Sequence, residues 1–288
     1  MGGTTDTKGN QIENWDKQYS DLRITYVETS DTPEDFVQML GYQFVYEDIV
    51  ELLPNQPNAH ILEVGCGTAR NAVFLSRQGF KVTCSDFAPE ALRLAKANFD
   101  AMGVRGIFVN DDLMNSKLPA GSYDCVMSFG LLEHFKDLKP LATSLTRFVR
   151  PGGIQIHLVV PKKFSTMNLS YLIWFPYNFI HFAIRKRDFR NIVKRSYRDF
   201  PHFENTFSAR EYADAFREAG NEIIRCEPQD VLYAFLRLPP PSLGNFLVRA
   251  FKKQLERWYR STHRGKTNSR LLQFLSPAFV VVCRKNAS

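Results

Sequence analysis

Ile61-Leu62-Glu63-Val64-Gly65-Cys66-Gly67-Thr68-Ala69-Arg70 decides the reading of this chain. A short apolar run ends in two glycines one residue apart, and a helical pattern over residues 68–78 continues as far as Gly79. Glycines let a backbone turn tightly and approach a ligand. The start of the following helix offers free N–H groups to an anion. A dinucleotide fingerprint wants a third small residue where Arg70 stands, and the Gly-Lys-Ser/Thr of a triphosphate-binding loop is absent. Taken alone, the turn also fits an ordinary strand-to-helix connection.

Outward from this turn the pattern alternates. Strands are expected at Lys81–Asp86, Gly106–Asn110, Tyr123–Phe129 and Ile154–Val160, with helices at Pro89–Met102 and over 131–149. A helix over Ser208–Ala219, a strand at Glu222–Cys226 and a last apolar strand at Ala278–Cys283 complete the series. Upstream, helical spacing runs from Pro33 until Pro54 stops it. Strands alternating with helices predict an α/β protein whose mostly parallel sheet is covered on both faces. Segments 161–206 and 230–276 break the alternation. Each begins where a strand ends, so both are expected as insertions at the carboxyl rim, where open α/β sheets build their sites. The reading is one domain over 1–288, with a covering segment at 1–58 and the two insertions as a cap.

The chain has 288 residues, ample for a full core. Its five cysteines are scattered with no C-x-x-C pair, which argues against a disulfide framework or a zinc site; no metal is expected. The first residues are polar with no apolar leader, and the expected location is cytoplasmic, with peripheral attachment at the inner face of the membrane left open. Charge divides unevenly: residues 161–288 carry 23 Lys and Arg against 10 Asp and Glu, whereas the first part is acidic. The basic part could meet phosphates of nucleic acid, lipid or substrate.

Glu63-Val64-Gly65-Cys66-Gly67-Thr68 resembles motif I of class I S-adenosylmethionine (SAM)-dependent methyltransferases. Val82-Thr83-Cys84-Ser85-Asp86 is similar to the family's second strand and ribose-binding acid. Tyr123-Asp124-Cys125-Val126 with Leu132-Glu133-His134-Phe135 is similar to its fourth strand and the helix after it. Arg150-Pro151-Gly152-Gly153 resembles the turn before strand five, and Trp15-Asp16-Lys17-Gln18-Tyr19 a segment that folds over the cofactor. Ala69 replaces a frequent third glycine. The resemblance implies a Rossmann-like methyltransferase fold, with a mostly parallel seven-stranded sheet, helices on both faces and a substrate-side cap. It implies SAM as cofactor, with Gly65, Cys66 and Gly67 against the methionine moiety and Glu63 orienting the turn and the amine. Asp86 would hold the ribose, Phe87 would lie beside the adenine, and Asp112 and Leu113 would meet the adenine edge. Ser128, Phe129 and Gly130 would line the methionine side, and Tyr19 would reach the carboxylate.

Methyl transfer needs acceptor, methyl and sulfur held in line. A general base helps where the acceptor keeps its proton; His134 is the candidate, against a packing role for the same ring. His157, inside a strand, reads as a core histidine. Lys162, Tyr171, Trp174 and His202 are the candidates to touch the acceptor.

Residues 164–184 hold no charged side chain and are rich in aromatics, between basic flanks. Pro176 and polar residues interrupt the run, leaving a lid over the acceptor or an interfacial element as the main readings. At 242–260, Leu243, Phe246, Leu247, Ala250, Phe251, Leu255 and Trp258 fall on one helical face beside five basic residues. That pattern suits an anionic membrane surface or an ordinary packed helix. The aromatics run in apolar blocks, which speaks against stacking on nucleic acid. The expected activity is therefore methyl transfer to a hydrophobic or lipid-linked small molecule, at oxygen. The alternatives are a soluble acceptor or an inactive protein that kept the fold.

Overall fold

In the computed structural model, residues 12–20, 26, 28–54, 56, 58–181, 184, 207–238, 240–263 and 269–287 are described. The strands are β1 (His60–Val64), β2 (Lys81–Asp86), β3 (Ile107–Asn110), β4 (Tyr123–Phe129), β5 (Val149–Val159), β6 (Asn221–Gln229) and β7 (Ala278–Lys285). They form one sheet of order β3-β2-β1-β4-β5-β7-β6. β1 to β5 are mutually parallel, and β7 runs antiparallel to both β5 and β6. This is the expected Rossmann-like, mostly parallel arrangement.

The helices are α1 (Ile12–Ser20), α2 (Pro33–Leu52), α3 (Arg70–Arg77), α4 (Pro89–Ala101), α5 (Leu138–Phe148), α6 (Thr166–His181), α7 (Ala209–Glu218), α8 (Tyr233–Leu236), α9 (Pro241–Thr262) and α10 (Arg270–Leu275). Strand alternation divides the core between two helical layers. Ile61, Cys125, Met127, Ile154, Ile156 and Val282 pack with residues of α2, α3 and α4. Leu62, Val64, Val126, Val281 and Cys283 face the other way, onto α5 and α7. Strands buried on both faces must be apolar throughout, which is why β1 reads as a continuous run.

β1 has β2 on one side and β4 on the other, so successive connections leave to opposite sides and open a crevice at the carboxyl rim. β5 and β6 both run antiparallel to β7, so the segments after them emerge at that same rim. There α6 and α9 both pack against α8. A third core cluster, with Phe36, Leu40, Phe44, Leu236, Val248 and Tyr259, ties α9 to α2.

Three expectations on element extent are corrected. The helix over 131–149 is a single 3-10 turn at Leu132–His134 followed by α5. Asp137 caps α5, its carboxylate accepting the Lys139 N–H at 3.1 Å, and Pro140 sits in the first turn, where a missing N–H costs nothing. β5 starts at Val149 rather than Ile154, because the Pro151-Gly152-Gly153 segment is absorbed as an irregularity in its pairing with β4. The single apolar face of α9 is divided by a kink at Phe251 (φ −121°, ψ 20°). Gly244, Val248 and Tyr259 are buried, with Leu247, Leu255 and Trp258 half-buried beside them, while Leu243, Phe246, Ala250 and Phe251 are exposed. Among the described residues no helix is long and apolar enough to cross a membrane.

Candidate active site

The turn between β1 and α3 is built by two left-handed glycines, Gly65 (φ +60°) and Gly67 (φ +52°). A Cβ on Gly67 would stand 2.7 Å from the Tyr19 hydroxyl, and one on Gly65 would stand 2.7 Å from Leu131 Cδ1. Tyr19 of α1 thus closes over the turn, while Trp15 of the same helix meets the His134 ring edge-on at 5.0 Å. The Gly67 N–H donates to Asp86 Oδ2 at 2.9 Å, and the Ala88 N–H to Oδ1 at 3.0 Å. Asn98 of α4 donates to the Thr68 carbonyl at 2.7 Å, so α4 also braces the turn.

Glu63, the penultimate residue of β1, is buried and accepts the Ala72 N–H of the first turn of α3 at 3.0 Å. Desolvation pushes its carboxyl up to about 8 despite that bond. Burial also raises Asp86, opposed by the N–H groups of Ala88, Gly67 and Phe87. Burial pushes the Tyr19 phenol well above its ordinary range, so it remains an O–H donor.

A cavity of about 600 Å³ leads from the turn beneath α2 to the start of α8. Phe129, Ile156, Leu158 and Val280 give it an apolar floor. Arg70, half-buried, lines it and has no carboxylate within ion-pair distance among the described residues. At its far end stand Asp230 and Tyr233. Asp230 holds a left-handed backbone (φ +61°), which is uncommon for a residue with a side chain. Its carboxylate makes no hydrogen bond or ion pair with a described residue, and burial pushes it up to about 6.

Beside Asp230 lies a buried charged cluster. Arg225 Nη2 is 2.6 Å from Asp48 Oδ1. The His263 ring lies between two acids, Nε2 3.6 Å from Asp48 and Nδ1 3.4 Å from Glu227, and stacks on Phe44 at 3.9 Å. Asp48 and His263 both reach the cavity wall. Among the described residues no group of three or more His, Cys, Asp or Glu side chains could hold a metal ion.

The structure brings Tyr19, Glu63, Gly65, Cys66, Gly67, Phe129 and Gly130 to the cavity. Asp86 and Phe87 stand at the end of β2, where Asn110 Nδ2 donates to both their carbonyls. Asp112 caps a 3-10 turn, its carboxylate accepting from Met114 N–H and Asn115 Nδ2, and Leu113 is buried in the core. Ser128 is a correction. Its hydroxyl is 2.8 Å from His157 Nδ1, and His157 stacks on Phe216 of α7, so Ser128 faces the opposite side of the sheet from Phe129. The period of two in β4 forces this separation. His157 is fully buried, and desolvation lowers it to about 3.

Of the acceptor candidates, the described ones lie outside this cavity. Lys162 is exposed and Lys163 folds back onto the Phe279 ring at 4.6 Å. Trp174 packs edge-on against Tyr177 at 5.8 Å, and none of these three lines the cavity. Tyr171 lies on α6, its side chain outside the described residues, as is His202. His134 lies against Trp15 and does not line the cavity either. The residues that do line its far end, Asp48, Asp230, Tyr233 and His263, were not singled out by the sequence. The one available signal was the Arg225-Cys226-Glu227 alternation, which places two charged residues on one face of β6.

Residues 61–153 match the family model described as "Methyltransferase domain". Over 101 residues the chain is 34% identical to a 2-methyl-6-phytyl-1,4-hydroquinone methyltransferase of Synechocystis, covering 35% of this chain and 31% of that protein. Over 115 residues it is 30% identical to a ubiquinone biosynthesis O-methyltransferase of Pectobacterium carotovorum, covering 40% and 45%. The chain therefore spans less than half the length of these relatives. A crystal structure of a putative sarcosine dimethylglycine methyltransferase from Galdieria sulphuraria shares the fold, with a TM-score of 0.58, 16% identity, and 95% and 99% of the two chains covered.

Proposed function

We propose that the chain is a SAM-dependent methyltransferase, on the premise that residues 61–153 belong to a methyltransferase-domain family. The observation that carries this reading is the glycine turn at the cavity mouth, held by Asp86 and so close to Tyr19 and Leu131 that a Cβ at either glycine would clash with them. The donor set around it fits an amino-acid nucleoside. The Trp15 indole N–H and Glu133 Oε2 are buried beside α1 and β4 with no hydrogen-bond partner among the described residues. When bound, SAM supplies a methyl group on a sulfonium that departs readily.

The chain's own residues bind and orient. Gly65, Cys66 and Gly67 let the backbone approach the methionine end, and Glu63 faces its amine. Arg70 and Tyr19 supply a cation and an O–H donor for its carboxylate. Asp86 accepts from the ribose hydroxyls, and Phe87 lies beside the adenine. Asp112 offers its carboxylate to the exocyclic amine next to Leu113. Ser128 is withdrawn from this set because its side chain lies across the sheet.

For the acceptor we propose a hydrophobic or lipid-linked small molecule methylated at oxygen, seated on the apolar floor of the cavity. Asp230, raised by burial and aimed at no internal partner, takes the proton of the acceptor hydroxyl in place of His134. The relatives named for hydroquinone and ubiquinone synthesis support an acceptor of this kind. The polar far wall, with Asp48, Tyr233 and His263, favours the second reading, a more soluble acceptor. Calorimetry with SAM tests the cofactor, and a folded chain that binds none would leave only an inactive relative. Incubating cell extracts with methyl-labelled SAM separates the acceptors: label in the organic phase supports the first, label in the aqueous phase the second.

A further inference from the structure

The carboxyl rim carries an apolar face that the cavity does not use. On α6, Leu172, Ile173, Phe179 and Ile180 are exposed. On α9, Leu243, Phe246 and Phe251 are exposed, and on α10, Leu271 and Phe274. These side chains belong to one region. Phe164, just before α6, stacks on Phe274 at 6.1 Å, and α8 joins α6 to α9. The short α8 has two sides: Tyr233 lines the cavity and Phe235 is exposed. Surface leucines scattered singly need no explanation, but nine exposed large apolar side chains on three helices at one rim, two of them sharing α8 as a neighbour, mark an interaction site.

The charge around this face decides the partner. Residues 164–181 contain no charged side chain, and residues 231–262 contain one acid, Glu256, which is paired with Arg260 at 3.1 Å. Lys162, Arg249, Lys252, Lys253, Arg257 and Arg270 are exposed and have no ion pair among the described residues. Phe246 and Phe251 stand among these cations, the composition of a helix that lies in a bilayer interface. A partner protein would need an acidic face of matching extent to meet the α9 cations. A surface of anionic headgroups supplies it along the whole rim. Pro176 within α6 and the length of both helices limit them to the interface.

We infer that this rim is a docking surface for an anionic phospholipid bilayer. The exposed faces of α6 and the first half of α9 lie at the acyl boundary, and the α9 cations lie among the headgroups. The inference stands apart from the methyl-transfer reading, since it rests on no residue of the turn or the cavity. Its consequence for that reading is that the α8 end of the cavity opens towards the bilayer.

The test is flotation of the full chain with phosphatidylcholine vesicles that contain or lack phosphatidylglycerol. The chain is expected to float with the anionic vesicles and to be released by high salt. Phe246→Asp with Phe251→Asp, Leu172→Asp with Ile180→Asp, and Lys252→Glu with Lys253→Glu are each expected to lower vesicle partition by about tenfold or more. All six sites are exposed, so SAM binding by calorimetry is expected to be unchanged and reports that each variant is folded. No flotation with anionic vesicles overturns the inference, as does equal flotation on neutral ones. A chain that elutes as a dimer, and as a monomer after Phe246→Asp with Phe251→Asp, assigns the face to a second copy instead. Failure of SAM binding in the parent chain sinks the methyl-transfer reading and leaves the vesicle result standing.

Discussion

The backbone N–H of Gly67 donates to Oδ2 of Asp86 across 2.9 Å, so the turn after β1 and the acid ending β2 form one unit. Asp86→Ala strips the acceptor from two buried N–H groups, those of Gly67 and Ala88. Each orphaned group costs about 1–3 kcal/mol. The variant is expected to lose SAM affinity by about a hundredfold and to unfold at lower denaturant. An unchanged dissociation constant would show that Asp86 does not hold the ribose.

Gly67→Ala is expected to damage the site in two separable ways. A left-handed conformation with a Cβ costs about 1–2 kcal/mol, and the added carbon meets the Tyr19 hydroxyl. Adding Tyr19→Phe removes the hydroxyl and is expected to restore part of the lost stability, but not the backbone component. If the double variant melts no higher than Gly67→Ala, Tyr19 does not close over the turn.

Glu63 sets a pH dependence. Its folded value of about 8 lies above its ordinary 4.5, so the folded chain holds an extra proton between these values. Stability of the ligand-free chain is therefore expected to fall as pH rises from about 4.5 to 8. Glu133, at about 7, and Asp230, at about 6, add in the same direction. Glu63→Gln is expected to flatten the slope. A cationic amine next to Glu63 favours its ionised form, so SAM binding at neutral pH is expected to release a proton. Calorimetry in buffers of different ionisation heat reads this directly, and a buffer-independent heat contradicts it.

Asp230→Gly is expected to push stability and activity in opposite directions. Glycine relieves the left-handed backbone and removes a desolvated carboxyl. The melting temperature should hold or rise, while label transfer to an extract drops by about a hundredfold or more. Asp230→Asn should lose the same activity and the acid limb of its pH profile. Full activity in either variant removes Asp230 as the base.

Arg225→Met leaves Asp48 and Glu227 buried with one fewer cation. Breaking a buried pair from one side costs about 3–5 kcal/mol, which a denaturant titration should show. Replacing Asp48 with Asn in the same variant is expected to recover part of it.

The sheet was legible because the central parallel strands are mostly apolar on both faces and bounded by glycine, proline or an acid. The sequence pattern places β2 and β4 to the residue. The glycine-turn half of the candidate site was legible for the same reason: Glu63, Gly65, Gly67 and Asp86 sit at strand ends, where position implies geometry. The acceptor half was not. Asp48, Asp230 and His263 come from α2, the end of β6 and the residue after α9, and only folding brings them to one wall. Ser128 departs from its expected place because adjacent strand residues point to opposite faces, and the bulk of Phe129 claims the cavity side. The apolar stripe of α9 reads as continuous because a kink at Phe251 leaves no mark in helical spacing.

The family-model match ends at Gly153, whereas α2, α8 and His263 close the cavity from outside that stretch. Two construction plans thus meet at the Phe129–Gly130 step. One is a fixed-geometry turn between β1 and α3 held by the end of β2, and the other is a rim built by α2 and the segments after β5 and β6. On the proposed function, exchanging the segments after β5 and β6 for those of a known methyltransferase is expected to change acceptor choice while leaving SAM affinity untouched, which makes the crossover point after β5 a natural splice site for chimeras.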